Sequence, residues 1–414
     1  MPKPFREHAM DNSNAKIWDN DHFMHPWEGM DDLGQNERAF IEASDGVYVI
    51  NDAGQRLIDG PAGMWCVQVG YGRDEIADAM ADQARKLAYF SPFNNTSSVT
   101  TQFAREIAKR TPGDLNHVFF TTGGSTAVDT ALRFVHFRNN LLGRPEKKKI
   151  ISRQKAYHGS TYLSAAVGGK ERDRLWLDKP DELAHFLPDV NPLVRKPGQS
   201  IAEFLDEKIA DLENAILSIG PENVAAFIAE PVLASGGVIV PPEGYHKRCI
   251  DLCHKYDVLY ISDEVVTAFG RLGHWFASSE LFGIQPDILI CAKGLTSGYA
   301  PMGAAIFSDR LMADVTGSNG KGATFSNGYT YSGHPISAAA GLASMQIIER
   351  EGLLEHVRSV GPLFQERLRG LADLPLVVDA RGMGLMGCVQ CSYDGDTNSS
   401  LEDDYALGAL IDAE

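Results

Sequence analysis

The chain of 414 residues is long enough for more than one domain, and its 44% hydrophobic content can fill a sizeable core. Its 38 basic and 55 acidic residues give a formal net charge of −17, which disfavours binding to nucleic acid or to an anionic membrane surface. No run approaches the roughly 18 consecutive apolar residues of a membrane span, and the first residues lack the apolar core of a secretory signal. We therefore expect a soluble, cytoplasmic protein.

The first 65 residues are largely polar, and we expect them to form an N-terminal arm and part of a small domain. Residues 47–50 and 55–58 flank a turn-forming Asn-Asp-Ala-Gly tetrapeptide, a pattern that predicts a β-hairpin. Apolar residues at helical spacing then predict helices over residues 74–87 and 100–109.

From residue 117 onward, short apolar runs alternate with helical patterns. The runs that predict buried strands are residues 118–120, 148–152, 225–228, 258–262 and 288–290. This β-α-β rhythm predicts an α/β fold with a largely parallel sheet covered by helices on both faces, and in such sheets ligands bind at the carboxyl ends of the strands. We assign residues 66–310 to this large domain and residues 311–414 to a smaller C-terminal domain.

A lysine and an aspartate follow two of these expected strands. Lys293 comes shortly after the run 288–290, where partial desolvation would leave more free amine to attack a carbonyl carbon. Asp263 directly follows the run 258–262, and a buried carboxylate there needs a cationic or hydrogen-bonding partner, such as a protonated ring nitrogen. A lysine that merely ends a strand and a salt-bridged structural aspartate are the alternatives.

Two further groups follow strands earlier in the chain. Residues 122–126, Thr-Gly-Gly-Ser-Thr, lie between a strand and a helix, where backbone N–H groups and hydroxyls can bind a phosphate or a carboxylate. Tyr157 can lay an aromatic face on a flat cofactor ring. A tight turn and a packed tyrosine are the plain alternatives. Together with Lys293 and Asp263, these groups are the set that pyridoxal phosphate requires, a lysine for the Schiff base and an acid for the pyridinium nitrogen.

Seven motifs, in order along the chain, resemble those of class III aminotransferases of fold type I, and most of all the ω-transaminase or amine–pyruvate branch. They are MWCVQVGYGR (64–73), TTGGSTAVDTALR (121–133), YHGST (157–161), EPVLASGGVIVPPEGY (230–245), DEVVTAFGRLG (263–273), the lysine stretch (286–304) and YTYSGHP (329–335). The resemblance implies a large domain with a mostly parallel sheet, a smaller α+β domain, and pyridoxal 5′-phosphate as the cofactor. It implies transfer of an amino group from an amine or ω-amino acid to a keto acid, which we expect to be pyruvate, by a ping-pong mechanism.

The resemblance also implies roles for single residues. Lys293 would bind the cofactor covalently and shuttle the proton, and Asp263 would pair with the pyridine nitrogen. The remaining cofactor-binding residues that it implies are Gly124 and Ser125 at the phosphate, Tyr157 and Val265 on the two ring faces, His158 and Glu230 near the ring, and Thr330 at the phosphate of the neighbouring subunit. The substrate-binding residues that it implies are Trp65, Tyr89, Tyr157 and, across the interface of a homodimer, Tyr329.

The chain departs from the family pattern in two places. Val266 stands where many class III members carry a glutamine that binds the phenolic oxygen of the cofactor. Members of this branch also continue into a strand that carries a mobile, carboxylate-binding arginine, and no residue of these 414 matches it. We therefore expect the small C-terminal domain to be incomplete.

Other functions on the same scaffold stay open at this stage. An aminomutase, a racemase or a decarboxylase would use the same lysine and aspartate, and only a requirement for a keto acid would distinguish a transaminase from them. A protein that binds the cofactor without turnover is a third hypothesis. Cys388 and Cys391 form a C-x-x-C motif, but without a second pair or a histidine cluster we expect reduced thiols and no metal site.

Overall fold

The computed structural model describes residues 12–31, 33–35, 37–317 and 319–392. The described chain divides into two compact units, one made of the residues up to Ala62 together with Gly70–Gly72, and the other of Gly63–Val69 together with the residues from Arg73 onward. The predicted division at residues 65 and 310 stays a prediction, and residues 393–414 lie outside the described residues.

The described residues of the first unit form the helix α1 (Asn12–His22) and a three-stranded antiparallel sheet of β1 (Ile41–Asp45), β2 (Tyr48–Asn51) and β3 (Arg56–Ile58). The predicted hairpin is confirmed, because β2 pairs with β3 across the expected turn. The strand β1 was not predicted. All five of its residues are exposed, so its sequence carries no alternation between buried and exposed positions.

The second unit holds the remaining elements. In chain order they are α2 (Ala62–Trp65), α3 (Asp74–Lys86), α4 (Ser98–Ala108), β4 (Leu115–Thr121), α5 (Gly124–Leu141), β5 (Lys149–Arg153), α6 (Tyr162–Val167), β6 (Ala184–Leu187), α7 (Ile201–Ile219), β7 (Val224–Ala229), α8 (Tyr245–Lys255), β8 (Leu259–Asp263), α9 (Ala277–Glu280), β9 (Ile288–Cys291), β10 (Gly303–Ser308), α10 (Asp309–Val315), α11 (Pro335–Arg350), α12 (Leu353–Arg369), β11 (Val377–Met383) and β12 (Met386–Cys391). α2 is a single turn, and it begins at the last residue of the first unit. None of the helices in the described part of the chain combines the length and apolar character that crossing a bilayer requires.

A seven-stranded sheet in the order β4-β10-β9-β8-β7-β5-β6 forms the centre of the second unit. The five strands from β9 to β6 are parallel, whereas β10 runs antiparallel to both of its neighbours. The predicted fold is therefore confirmed as a mostly parallel α/β sheet with flanking helices. Strands β6 and β10 and helix α7 were not predicted.

Side chains on the two faces of β9 enter two separate apolar clusters. Leu289 and Cys291 of β9 pack on one face against Phe103 of α4 and the alanines of α11. Ile288 and Ile290 pack on the other face against α5. This period of two is what a strand buried on both faces imposes. It explains why β9 appears in the sequence as a continuous apolar run and not as an alternating one.

Gly341 should be a sensitive position in this packing. The Cβ of an alanine in its place would overlap the ring of Phe103, and Phe103 cannot yield because its ring stacks on Phe120 with 5.4 Å between the ring centroids. We expect Gly341→Ala to lower the free energy of unfolding by about 1–3 kcal/mol, measured by urea denaturation. Gly370→Ala is the control, since nothing lies within 4 Å of its added Cβ. Equal stability of the two variants would contradict this account of the packing.

Candidate active site

A cavity of about 380 Å³ lies at the carboxyl ends of the parallel strands. Asp263 is the last residue of β8, Glu230 follows β7 directly, and Lys293 lies two residues after β9. The sequence-predicted residues that line this cavity are Trp65, Gly124, Ser125, Tyr157, His158, Glu230, Asp263, Val265 and Lys293. Adjacent parallel strands end at one edge of a sheet, so residues far apart in sequence meet there.

Lys293 opens a short 3₁₀ turn with its backbone in the left-handed region, at φ 41°. Burial lowers the pKa of its ammonium group, and nearby Arg271 acts in the same direction. Cys66, Asp263 and Glu230 oppose this shift without reversing it. The side chain is therefore held in surroundings that favour a free, nucleophilic amine.

Asp263 is held in place through both of its carboxylate oxygens. His158 Nδ1–H donates to Oδ2 at 2.7 Å, and the backbone N–H of Val265 donates to Oδ1 at 3.1 Å. Asp263 and His158 are only 4% and 3% exposed. These bonds fix the orientation of a carboxylate that borders the cavity, as the pairing of an acid with a ring nitrogen requires.

Glu230 is a buried carboxylate that braces the backbone around the cavity. Its Oε1 accepts the N–H of Tyr157 at 3.1 Å, and its Oε2 accepts the N–H of Ala234 at 3.0 Å. Burial raises the pKa of this carboxyl group, and the negative charge of Asp263 adds to the effect. Its backbone carbonyl accepts from Arg153 Nη2 at 2.6 Å. Glu230 therefore positions Tyr157 through main-chain contacts.

The N-terminus of α5 has the features of an anion cradle. Gly123 stands at the N-cap and offers no side chain to the first helical N–H groups. The Cβ of an alanine at Gly124 would lie 3.2 Å from Val265 Cγ2, so a glycine keeps this corner of the cavity open. Ser125 adds a hydroxyl at the same end of the helix and lines the cavity.

A network that sequence reasoning missed ties this helix end to the segment carrying Tyr157. Asp129 Oδ1 accepts from Thr161 Oγ1 at 2.7 Å and from the N–H of Ser164 at 2.9 Å. The N–H of Ser160 donates to Ser125 Oγ at 3.1 Å, which leaves the hydroxyl proton of Ser125 available for an anion. The signal was present, since Asp129 falls within the motif 121–133.

Trp65 enters the cavity from a turn in an unfavourable conformation. Gly63, Met64 and Trp65 have φ angles of 57°, 63° and 60°, a left-handed turn that costs residues with a side chain about 1–2 kcal/mol each. The Trp65 ring centroid lies 5.3 Å from Lys293 Nζ. The ring also packs against the apolar cluster that contains Val232, and Val266 likewise packs against this cluster and lines the cavity. This side of the cavity is therefore apolar and suits a hydrocarbon or aryl group.

Tyr89, Tyr329 and Thr330 are sequence-predicted site residues that do not line this cavity in the described structure. Tyr89 donates its hydroxyl to the carbonyl of Thr330 at 2.5 Å and stacks on His334 with 5.7 Å between the ring centroids. Tyr329 donates its hydroxyl to the carbonyl of Thr126 at 3.1 Å. Within the single chain, Tyr89 and Thr330 therefore contact each other, and Tyr329 contacts the first turn of α5, but none of the three lines the cavity.

The cysteines supply no metal centre within the described residues, where no group of three or more potential ligands occurs. Cys388 and Cys391 lie on the same strand, β12, and Cys388 Sγ accepts from Arg381 Nη2 at 3.8 Å. Their odd separation directs them to opposite faces of it. Cys66, which the sequence analysis did not single out, lines the cavity directly after Trp65.

A profile of the family described as "Aminotransferase class-III" matches residues 31–412 of the chain. This chain is a class III aminotransferase. It is 38% identical over 399 residues to the putrescine–pyruvate aminotransferase of Pseudomonas aeruginosa. This match covers 95% of this chain and 86% of that protein. It is 37% identical over 382 residues to the mitochondrial gamma-aminobutyrate transaminase 1 of Oryza sativa subsp. indica, with 90% and 73% of the two chains covered.

Solved structures support the same assignment. A thermostable (S)-enantioselective omega-transaminase from Thermomicrobium roseum superposes with a TM-score of 0.92 at 33% identity, over 97% of this chain and 89% of that one. The aminotransferase therefore has fold type I, depends on pyridoxal phosphate, and transfers an amino group from an amine donor to a keto acid. Its resemblance to the ω-transaminases is confirmed.

The cavity fits pyridoxal phosphate by its own geometry. It presents a partly buried amine for the aldehyde, a braced carboxylate for the ring nitrogen, and a glycine-rich helix N-terminus for the phosphate. The Cβ of an alanine at Gly159 would lie 2.5 Å from Ser125 Oγ, so this cradle has no room for a side chain there. The assignment of each of these residues to a cofactor atom remains a proposal.

The lowered pKa of Lys293 predicts the pH dependence of cofactor capture. Only the neutral amine attacks an aldehyde, and burial shifts the balance toward that form. We expect the rate of covalent capture of pyridoxal phosphate by the cofactor-free protein to level off at a pH below the pKa of an ordinary lysine, followed by absorbance. Lys293→Ala is the control and should give no capture. A midpoint equal to that of free lysine would contradict the prediction.

Proposed function

We propose that this aminotransferase takes its amino group from amines or ω-amino acids with an apolar or aryl arm and passes it to pyruvate in two half-reactions. The apolar wall formed by Trp65, Val232 and Val266 supports the donor class. The two relatives, a putrescine–pyruvate aminotransferase and a gamma-aminobutyrate transaminase, support pyruvate as acceptor and make diamines and ω-amino acids donors worth testing. A cytoplasmic location is part of the same proposal.

The observation that carries the proposal is the meeting of Lys293 and Asp263 in one cavity at the carboxyl ends of the parallel strands. Bound pyridoxal phosphate supplies an electron sink that makes the carbon bearing the amino group acidic. Lys293 Nζ would take the proton from that carbon and pass it to the cofactor in the donor half-reaction, and would return a proton from the cofactor to the matching carbon of the keto acid in the other. Asp263, held by the hydrogen bond from His158, would present its carboxylate to the ring nitrogen.

The remaining residues orient and shield. Ser125 and the first N–H groups of α5 would hold the phosphate, and the hydrogen bond from the Tyr157 N–H to Glu230 would keep Tyr157 beside the ring. Val265 would exclude water from the ring. Because the hydrogen bonds that hold Glu230 and Asp263 form within the protein itself, substrate binding would require little ordering of the site.

The two half-reactions are separable by visible absorption. We expect the purified enzyme to show a cofactor band that bleaches on addition of 1-phenylethylamine and returns on addition of pyruvate. Lys293→Ala should lose this exchange, since no group is left to move the proton. Turnover of the amine without any keto acid would favour a racemase or decarboxylase instead. A band that amine leaves untouched would contradict transamination.

We further propose a homodimer in which Thr330 and Tyr329 serve the active site of the neighbouring subunit. Their position away from the cavity of their own chain supports this. The test mixes Lys293→Ala chains with Thr330→Ala chains, each poorly active alone. If Thr330 acts across the interface, each hybrid dimer regains one intact site, so random mixing restores about a quarter of the activity. No recovery in verified hybrids would assign Thr330 to its own chain.

A further inference from the structure

Two strained segments face each other beside the cavity. The lysine loop (residues 293–298) has left-handed backbone at Lys293, φ 41°, and at Ser297, φ 51°. The tryptophan segment (residues 63–69) has left-handed backbone at Met64, φ 63°, and at Trp65, φ 60°. Residues with a side chain adopt this conformation only where the surroundings impose it, so contacts with neighbouring residues have to hold each segment.

The hydroxyl of Ser297 provides the polar contact between the two segments. Its Oγ accepts the backbone N–H of Gln68 at 2.8 Å and that of Val69 at 3.0 Å, and Ser297 is completely buried. These two N–H groups lie in the stretch that directly follows Trp65. One buried oxygen therefore fixes where the tryptophan segment runs past the lysine loop.

Glycines of the lysine loop set the distance between the segments. The Cβ of an alanine at Gly294 would lie 2.8 Å from Gln68 Cγ. A Cβ at Gly298 would lie 3.3 Å from Cys66 Cβ and from Val67 Cγ2. The segments are thus in close contact on both sides of Ser297, and a displacement of one has to move the other.

We propose that Ser297 is a positioning residue that sets the substrate range of the enzyme, because its hydroxyl holds the Trp65 ring over Lys293. A donor that reacts beside Lys293 Nζ meets this ring, whose centroid is 5.3 Å away. Without the hydroxyl, the left-handed turn relaxes and the ring moves, so the cavity admits amines with a larger substituent. The inference rests on the proposed transaminase function.

The test compares Ser297→Ala with the parent and with Ser308→Ala. Ser308 is a matched control, since it is 2% exposed and its Oγ accepts the N–H of Leu311 at the start of α10, away from the cavity. The donors are 1-phenylethylamine and the bulkier 1-phenylbutylamine, with pyruvate as acceptor. We expect the ratio of kcat/KM for the bulky donor to that for the small one to rise about tenfold in Ser297→Ala and to stay constant in Ser308→Ala.

A double-mutant cycle separates positioning from general damage. In a Trp65→Ala background, Ser297→Ala should leave the ratio unchanged, because the ring through which it acts is gone. Ser297→Gly removes the hydroxyl while favouring the left-handed φ, so it gives the same shift in a variant that folds readily. A constant ratio in both Ser297 variants, or a shift that persists without Trp65, overturns the proposal.

Hydrogen exchange tests the same contact independently of turnover. In the full-length protein, the amides of residues 66–69 should exchange at least about tenfold faster in Ser297→Ala than in the parent or in Ser308→Ala. Unchanged exchange overturns the role of the hydroxyl. Failure of the parent to transaminate either amine, with faster exchange in Ser297→Ala, would count against the proposed function and leave the contact established.

Discussion

A partly buried primary amine beside two buried carboxylates is the constraint on which the rest of this structure depends. Burial disfavours the charged form of Lys293 and of Glu230, so the pKa of the amine falls and that of the carboxyl rises. The fold stabilises the acidic groups with directed donors, namely His158 and the N–H of Val265 for Asp263. Glu230, Asp263 and Lys293 stand at or just after the ends of three parallel strands, β7, β8 and β9. The site therefore exists only when these strands are correctly paired.

Backbone strain is concentrated at the same place. Met64, Trp65, Lys293 and Ser297 all have left-handed φ angles, at a cost of order 1–3 kcal/mol each. The summed strain at these four residues is large compared with the total stability of a typical domain, which is about 5–15 kcal/mol. It is tolerated because close contacts and buried hydrogen bonds over-determine the two segments. The consequence is a reactive lysine whose surroundings are arranged before substrate binds.

The sequence predicted those parts of the fold and site whose physics is local. Buried parallel strands give continuous apolar runs, and the rule that ligands bind at strand ends brought Lys293 and Asp263 together. Strand β10 was missed because its small residues, Gly-Ala-Ala, carry little strand signal. Helix α7 was missed although Ser200 and Glu203 form a capping box at its start. The left-handed turn at Met64 was not predictable, since neither its residue types nor their spacing favour positive φ.

The resemblance placed Tyr329 and Thr330 at the site, but they do not reach the cavity of their own chain. They belong to a strip, residues 329–333, that is held by contacts within that chain. Tyr329 is fixed by its hydrogen bond to the Thr126 carbonyl, and Thr100 Oγ1 donates to the carbonyl of Gly333 at 2.7 Å. Thr330 is left exposed between these anchors. A strip held in this way by its own chain would meet a second subunit already in position. Dimer formation would then cost little conformational entropy when these residues complete the neighbouring site. This low cost favours the sharing of active-site residues across an interface.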